Sequence, residues 1–371
     1  MDSLTQIALG AAVGEAVAGR RAGNRAVLWG AVAGTIPDLD ILFNPLLDQV
    51  EQLYMHRGLS HSFFFAVLAA PIFGWIARRL NRRRSEASFR DWTLVGFFGF
   101  TTHIILDYLT IYGTQLFRPF SDYPAAFGSL FIIDPLYTVP LALGVLGAMI
   151  FSRSDERRRI WNRVGLGLSC LYIAFSIGAR FSAVDTFKKE LLIQQIKYDR
   201  LFVAPMPLNT LLWMVLAEDV ENDRLWVGQF SFLDDPADGL IAFRALPKNS
   251  QYIHGSEDSR AVHRLLWFSR GFYTIQESPS GDGSLIFNDL RFGRSDGWLT
   301  DDGEYIFVFE LKESTPGSGD FENFERRQPR FDVSEDRFAK LWRRIQGDRS
   351  VETHAAAVAA RDREQIDSVA E

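Results

Sequence analysis

Apolar positions run long in the first half of the chain and short in the second. Six stretches approach the roughly 20 apolar residues that a helix needs to cross a bilayer core about 30 Å thick. They are "SLTQIALGAAVGEAVAG" (3–19), "AVLWGAVAGTIPDLDILF" (26–43), "SFFFAVLAAPIFGWIA" (62–77), "WTLVGFFGFTTHIILDYLT" (92–110), "FIIDPLYTVPLALGVLGAMIF" (131–151) and "VGLGLSCLYIAFSIGARF" (164–181). The first is the weakest, rich in small residues and interrupted by Glu15. Glycine and alanine are dense in the first two, a composition that lets helices approach closely in lipid.

After Phe181 the texture changes. "VDTFKKELLIQQIKYDRL" has helical periodicity. The shorter runs "TLLWMVLAE", "RLWVGQFSFL", "HRLLWFSRGFYTIQE", "GSLIFNDLRFG" and "EYIFVFELKE" then read as strands, separated by turn-like "LDDPADG", "SPSGDG" and "SDGWLTDDGE". The pattern predicts an α-helical polytopic membrane domain over 1–181, then a mainly antiparallel β (α+β) soluble domain over 182–345. The remainder, 346–371, has few large apolar residues and is expected to be disordered or a loose helix.

The mean hydropathy of −0.02 is an average over these unlike halves. A formal charge of −6 does not point to a nucleic-acid partner. One cysteine, Cys170, excludes a disulfide framework. The opening "MDSLTQIALG" is acidic, unlike the basic start of a cleavable signal peptide. Arginines gather in alternate connections: Arg20, Arg21 and Arg25; then Arg78, Arg79, Arg82, Arg83, Arg84 and Arg90; then Arg153, Arg157, Arg158, Arg159 and Arg163. The positive-inside rule puts these in the cytoplasm, so the other loops and the second domain are expected to face the periplasm or exterior.

Three polar stretches interrupt the apolar half: "GTIPDLD", "HRGLSHS" and "THIILD". On the expected topology Asp38, Asp40, His56, His61, His103 and Asp107 lie at similar depth, near the outer interface. His103 and Asp107 are four apart and share one helix face. Carboxylates inside a span are costly, and a divalent cation compensates them. Imidazole and carboxylate suit zinc and its neighbours. Six candidate ligands exceed one tetrahedral site, which leaves a dinuclear centre, or one metal with outer carboxylates orienting its histidines. A metal with an open position favours assisted hydrolysis. Asp38 or Asp107 is then a candidate general base, and Arg57 a candidate phosphate-binding group. Gly58 is expected to serve the turn between the histidines. Glu15, Asp122 and Asp134 read as packing or loop residues, and His254, His263 and His354 as structural or exposed ones.

"MDSLTQ", "GTIPDLD", "HRGLSHS" and "THIILDYLTIYGTQLFRPFSDYP" together resemble the YdjM-like family of bacterial inner-membrane, metal-dependent hydrolases, over roughly residues 1–180. The later "WFSRGFY" and "DLRFG" are similar to members with an extra C-terminal domain. A more distant similarity to zinc-dependent phospholipase C implies phosphoester hydrolysis. One departure bears on the site: where the family pattern has a "TH" pair near the start, this chain has Gln6, a poor metal ligand.

The expectation is therefore a multi-pass inner-membrane hydrolase acting on a lipid or other membrane-proximal ester. Two alternatives stay open. One is a non-catalytic, metal-stabilised module that presents the second domain to a partner. The other is a transporter, disfavoured because its sites lie near the membrane midplane.

Overall fold

The computed structural model describes residues 1–299, 303–315, 318–328 and 335–352. These divide into a helical unit, Met1–Gly178 with Pro207–Asn209, and a second unit made from the rest.

The helical unit opens with α1 (Ser3–Ala22), whose N-terminus is capped by Asp2 accepting from the Thr5 amide at 3.0 Å. After a turn at Gly23, α2 (Asn24–Thr35) folds back along it. Glycines make this pairing close. A β-carbon on Gly10 would lie 2.3 Å from the Gly30 carbonyl oxygen, and one on Gly34 would lie 2.3 Å from that of Gln6. The two backbones therefore touch along a small-residue stripe on each helix. At Ile36–Leu46 the chain tightens into a 3-10 segment, with Pro37 in its first turn. Pro37 removes a backbone N–H from the α-helical ladder, so the break falls just before Asp38.

Short α3 (Gln49–Met55) leads through "HRGLSHS" into α4 (Phe63–Asn81), and α5 (Phe89–Tyr108) returns beside it. Ser88 and Asp91 form a reciprocal capping box at the start of α5. Helices α6 (Pro135–Ile150) and α7 (Glu156–Ile193) complete the unit, α7 running on past its boundary. Each of the six apolar runs thus supplies a helix. Among the described residues, Asn24–Leu46, Phe63–Asn81 and Glu156–Ile193 are long and apolar enough to cross a membrane, and α6 is a shorter apolar helix.

The arginine-rich connections meet at one end of this unit. Arg21 pairs with Asp91, and Arg25 donates to the Arg84 carbonyl at 3.1 Å. Arg153 pairs with Glu86 at 2.7 Å and donates to the Arg21 carbonyl at 3.1 Å. Buried Arg158 binds Glu15 and reaches Asn24 at 2.6 Å. Glu15 is accordingly a packing residue. Along α5, Asp91 at this end and Asp107 near the other are sixteen residues, or about 24 Å, apart.

The second unit holds two four-stranded antiparallel sheets among the described residues. The first orders β1 (Arg200–Pro205), β2 (Leu212–Asp219), β3 (Arg224–Ser231) and β4 (Arg244–Pro247). Helix α8 (Arg260–Ser269) then precedes the second sheet: β5 (Tyr273–Glu277), β6 (Leu285–Arg294), β7 (Tyr305–Leu311) and β8 (Phe324–Arg327). α9 (Glu335–Ile345) follows. The stretch "HRLLWFSRGFYTIQE" is not the continuous strand expected of it. Its first part lies in α8, which buries Ala261, Val262, Leu265 and Phe268 at helical spacing, and the chain reverses at Arg270 and Gly271 before β5 begins. Aromatic content masked a 3.6-residue period there. Of the segment 346–371, Arg349–Val351 form a 3-10 turn, while residues 353–371, with His354, lie outside the described residues.

Candidate metal centre

Four elements bring the polar stretches together. The 3-10 segment after α2 carries Asp38 and Asp40, and the turn Leu59–His61 before α4 carries His61. The last turns of α5 carry His103 and Asp107. α1 lays Gln6 against them. His61, His103 and Asp107 are fully buried, whereas the Asp38 side chain is 21 % exposed. The cluster therefore has one partly open side, at Asp38.

The potential ligand atoms converge. His61 Nε2 lies 3.2 Å from His103 Nε2, 3.2 Å from Asp38 Oδ1 and 3.3 Å from Asp107 Oδ2. His103 Nε2 lies 3.5 Å from Asp38 Oδ1 and 3.7 Å from Asp107 Oδ2. Tetrahedral edges are about 1.6 times the bond, so zinc at about 2.0–2.2 Å from nitrogen or oxygen ligands sets edges of about 3.3–3.6 Å. The five separations fall on or close to that range. Among the described residues Asp38, His61, His103 and Asp107 form the one group of this kind.

The outer hydrogen bonds fix the imidazole tautomers. His103 Nδ1 lies 2.7 Å from the Gly34 carbonyl, which can only accept, so Nδ1 carries the proton. His61 Nδ1 lies 3.0 Å from Ser60 Oγ, whose own proton is directed to Asp40 Oδ2 at 3.2 Å. That leaves Ser60 to accept from His61 Nδ1. Both Nε2 atoms then present lone pairs to each other across 3.2 Å. Two facing lone pairs with carboxylates beside them need a shared cation, whether a proton or a metal ion. The donor set, two neutral imidazoles and two carboxylates, is chemically suited to a divalent metal.

Asp40 and His56 stand one step out. Asp40 accepts from the Arg57 amide at 3.0 Å and contacts His56 Nδ1 at 3.0 Å, while its nearest approach to His61 Nδ1 is 3.6 Å. Asp40 thus ties "HRGLSHS" together from behind. The sharpest turn in that loop is at Arg57, with φ 58°, and not at the glycine. Gly58 matters by space: a β-carbon there would meet the Met55 carbonyl at 2.8 Å.

Arg57 is buried. Its Nε lies 3.0 Å from Asp107 Oδ2, its Nη1 donates to Thr110 Oγ1 at 3.1 Å, and its guanidinium lies over the Tyr112 ring. The other Asp107 oxygen pairs with the Met1 amine and accepts from Gln6 Nε2 at 3.0 Å. Gln6 therefore touches the site by hydrogen bonding to a carboxylate. Sequence reasoning did not single out Gly34, Ser60, Thr110 or Tyr112. Each nonetheless lies inside a polar motif: Gly34 in "GTIPDLD", Ser60 in "HRGLSHS", and Thr110 and Tyr112 in "THIILDYLTIYGTQLFRPFSDYP". Asp134 caps α6 and accepts from Tyr172 at 2.8 Å, Asp122 accepts from Tyr54 at 3.3 Å, and exposed His254 lies 3.4 Å from Glu257.

Residues 1–183 match a family model described as YdjM inner membrane protein. No curated protein and no solved structure matches the chain.

Proposed function

Through residues 1–183 the chain belongs to the YdjM inner membrane protein family, and on that premise we propose that Asp38, His61, His103 and Asp107 hold one divalent metal, zinc foremost, in a membrane-bound hydrolase. The observation that carries this is the convergence of four ligand atoms, drawn from three separate stretches of sequence, within 4.8 Å of one another, with both imidazole Nε2 atoms 3.2–3.7 Å from each carboxylate. A metal held by these four residues would supply Lewis acidity and, with water as a fifth ligand, would lower the pKa of that water. The substrate class is a lipid or other membrane-proximal ester, most readily a phosphoester.

The chain's own residues have assignable parts. The Gly34 carbonyl and the Ser60–Asp40 pair hold the two imidazoles with Nε2 inward. Asp40 and His56 act as positioning residues. Asp38 is the exposed member, so substrate approaches from its side, and its carboxylate is the group placed to take a proton there. Arg57 holds Asp107 and contributes positive charge beside an incoming phosphoryl group. The arginine-rich connections lie in the cytoplasm by the positive-inside rule, and the cluster, at the far ends of α2 and α5, opens toward the periplasm.

One observation favours the second reading, a structural metal in a non-catalytic module: four protein ligands already fill a tetrahedral shell. Metal analysis of the detergent-purified chain, with phosphodiester and lipid hydrolysis assays on the same sample, separates the two. Stoichiometric metal with hydrolysis that chelation removes supports the enzyme. Stoichiometric metal with no hydrolysis of any ester tested leaves the structural role. Absence of metal overturns both.

A further inference from the structure

The second unit contains a cavity that the metal centre does not use. Strand register shows how it forms. Asp289 pairs with Tyr273 and Phe307, and Phe287 pairs with Ile275 and Phe309. The face bearing Phe307 and Phe309 is covered by α8, whose Phe268 ring lies 5.7 Å and 6.1 Å from theirs. Alternate positions point the other way. Asn288 pairs with Thr274 and Val308, and Val308 pairs with Arg327, so these residues share the opposite face. Over that face lies a cavity of about 780 Å³, within the range of small-molecule sites.

Its polar lining is cationic. Arg244 from β4, Arg294 from β6 and Arg327 from β8 all line it, with Glu304 the one carboxylate among the described lining residues, and Asp296 lies 3.8 Å from Arg294. Arg294 is fixed by donating to the Gly303 carbonyl at 2.6 Å and lies against the Tyr305 ring. Arg327 is steadied by Glu310 at 3.0 Å. Asn288, only 1 % exposed, lines the cavity from the sheet, and its Nδ2 has no hydrogen-bond partner among the described residues. A buried amide donor without an acceptor is unfavourable, and a protein of this composition could place valine there instead. Nδ2 itself has under 1 Å² of accessible surface, so what the cavity offers a ligand is the arginines, whose guanidinium groups suit an oxyanion.

We infer that this cavity is a binding site for a phosphate-bearing organic molecule, with Arg244 and Arg327 among its contacts. Its volume far exceeds a bare phosphate, and Tyr305, Ile286 and Val308 give the organic body a surface to rest on. The ligand's source is a soluble phosphate ester or a phospholipid headgroup, which share this chemistry.

The test is calorimetric titration of the detergent-solubilised full chain with glycerol 3-phosphate, with the short-chain lipid dihexanoylphosphatidylglycerol, and with inorganic phosphate. At least one organic phosphate should bind. Arg244→Gln and Arg327→Gln should each weaken it about tenfold or more. Metal content should not change, which keeps this result separate from the fate of the metal centre. Arg244→Gln should also keep the thermal midpoint; a binding loss accompanied by unfolding would overturn the assignment. Tighter binding of the lipid identifies a headgroup, and tighter binding of glycerol 3-phosphate identifies a soluble ligand. Binding of neither, binding of inorganic phosphate alone, or binding that both variants leave intact would also overturn the site.

Discussion

His103 Nδ1 lies 2.7 Å from the carbonyl oxygen of Gly34. This contact joins the fourth apolar run to the second and sets which face of the imidazole is available. It exists because α1 and α2 pack glycine to glycine, bringing the end of α2 to a defined place beside α5. A histidine held this way has its Nε2 lone pair directed at His61, and the pair is at ease only with a cation between them.

Loss of either imidazole should therefore abolish stoichiometric metal. In His61→Ala and His103→Ala, elemental analysis after purification should find metal reduced to trace levels, and any hydrolytic activity should vanish with it. His263→Ala, on α8, should change neither measurement. Full occupancy in both site variants would leave "HRGLSHS" as a polar loop only.

Asp40 should behave differently from Asp38. Asp40 reaches the imidazole through Ser60 and organises the loop from behind. Asp40→Asn or Ser60→Ala should weaken metal about 10–100-fold without eliminating it, the usual scale for partners that orient ligands. Asp38→Asn, which alters a ligand atom itself, should cost more. Competition titration with a fluorescent zinc chelator measures all three; equal losses for Asp38→Asn and Asp40→Asn would contradict this ranking.

Much of the helical unit was legible because its signal is local. A run such as "FIIDPLYTVPLALGVLGAMIF" has little alternative to a helix, and His103 and Asp107 share a face by spacing alone. The inward set was legible as a set but not in its layers. Nothing local distinguishes Asp38 from Asp40; the 3-10 geometry after Pro37 decides which carboxylate meets the imidazoles. The Gly34 carbonyl could not be foreseen, since a backbone acceptor has no residue signature. In the second unit, "HRLLWFS" was read as a strand because tryptophan and phenylalanine favour sheets, and the buried face of α8 emerges only once the turn at Arg270 and Gly271 is known.

The glycine stripe gives a prediction about distance. Gly34→Leu puts a side chain where a β-carbon alone would lie 2.3 Å from the Gln6 carbonyl. The helices must separate, at about 1–3 kcal/mol for overpacking of this kind, and the carbonyl that orients His103 moves with them. Reduced thermal stability together with weakened metal binding is expected. Lower stability with unchanged metal affinity would show that the stripe packs the helices without setting the site.

Orientation is tested separately. The three arginine-rich connections meet at the end of the helical unit that holds Arg21 and Asp91, about 24 Å along α5 from Asp107. Cysteines placed at Arg83 and at Phe120, probed in intact cells with a membrane-impermeant thiol reagent, should label at Phe120 only. The Cys170→Ser background removes the native thiol. Labelling at Arg83 alone would invert the topology and move the cluster to the cytoplasmic side.

Arg57 offers the test that best separates a metal centre from a purely organic charge cluster. Its guanidinium lies 3.0 Å from Asp107, a fully buried carboxylate. Removing one partner of a buried ion pair leaves the other uncompensated, at about 3–5 kcal/mol. A metal on the other side of the same carboxylate would offset much of that loss. Arg57→Ala should therefore be strongly destabilised in chelator and much less so when metal is added back, while the wild-type protein shows a smaller response to metal. The measurement is the thermal midpoint of each protein in detergent, with chelator and with excess zinc. Activity of Arg57→Ala should stay low even when it is loaded, because the charge beside the phosphoryl group is missing. If zinc fails to narrow the gap between variant and wild type, Asp107 is compensated by Arg57 and the Met1 amine alone, and the metal assignment at that carboxylate fails.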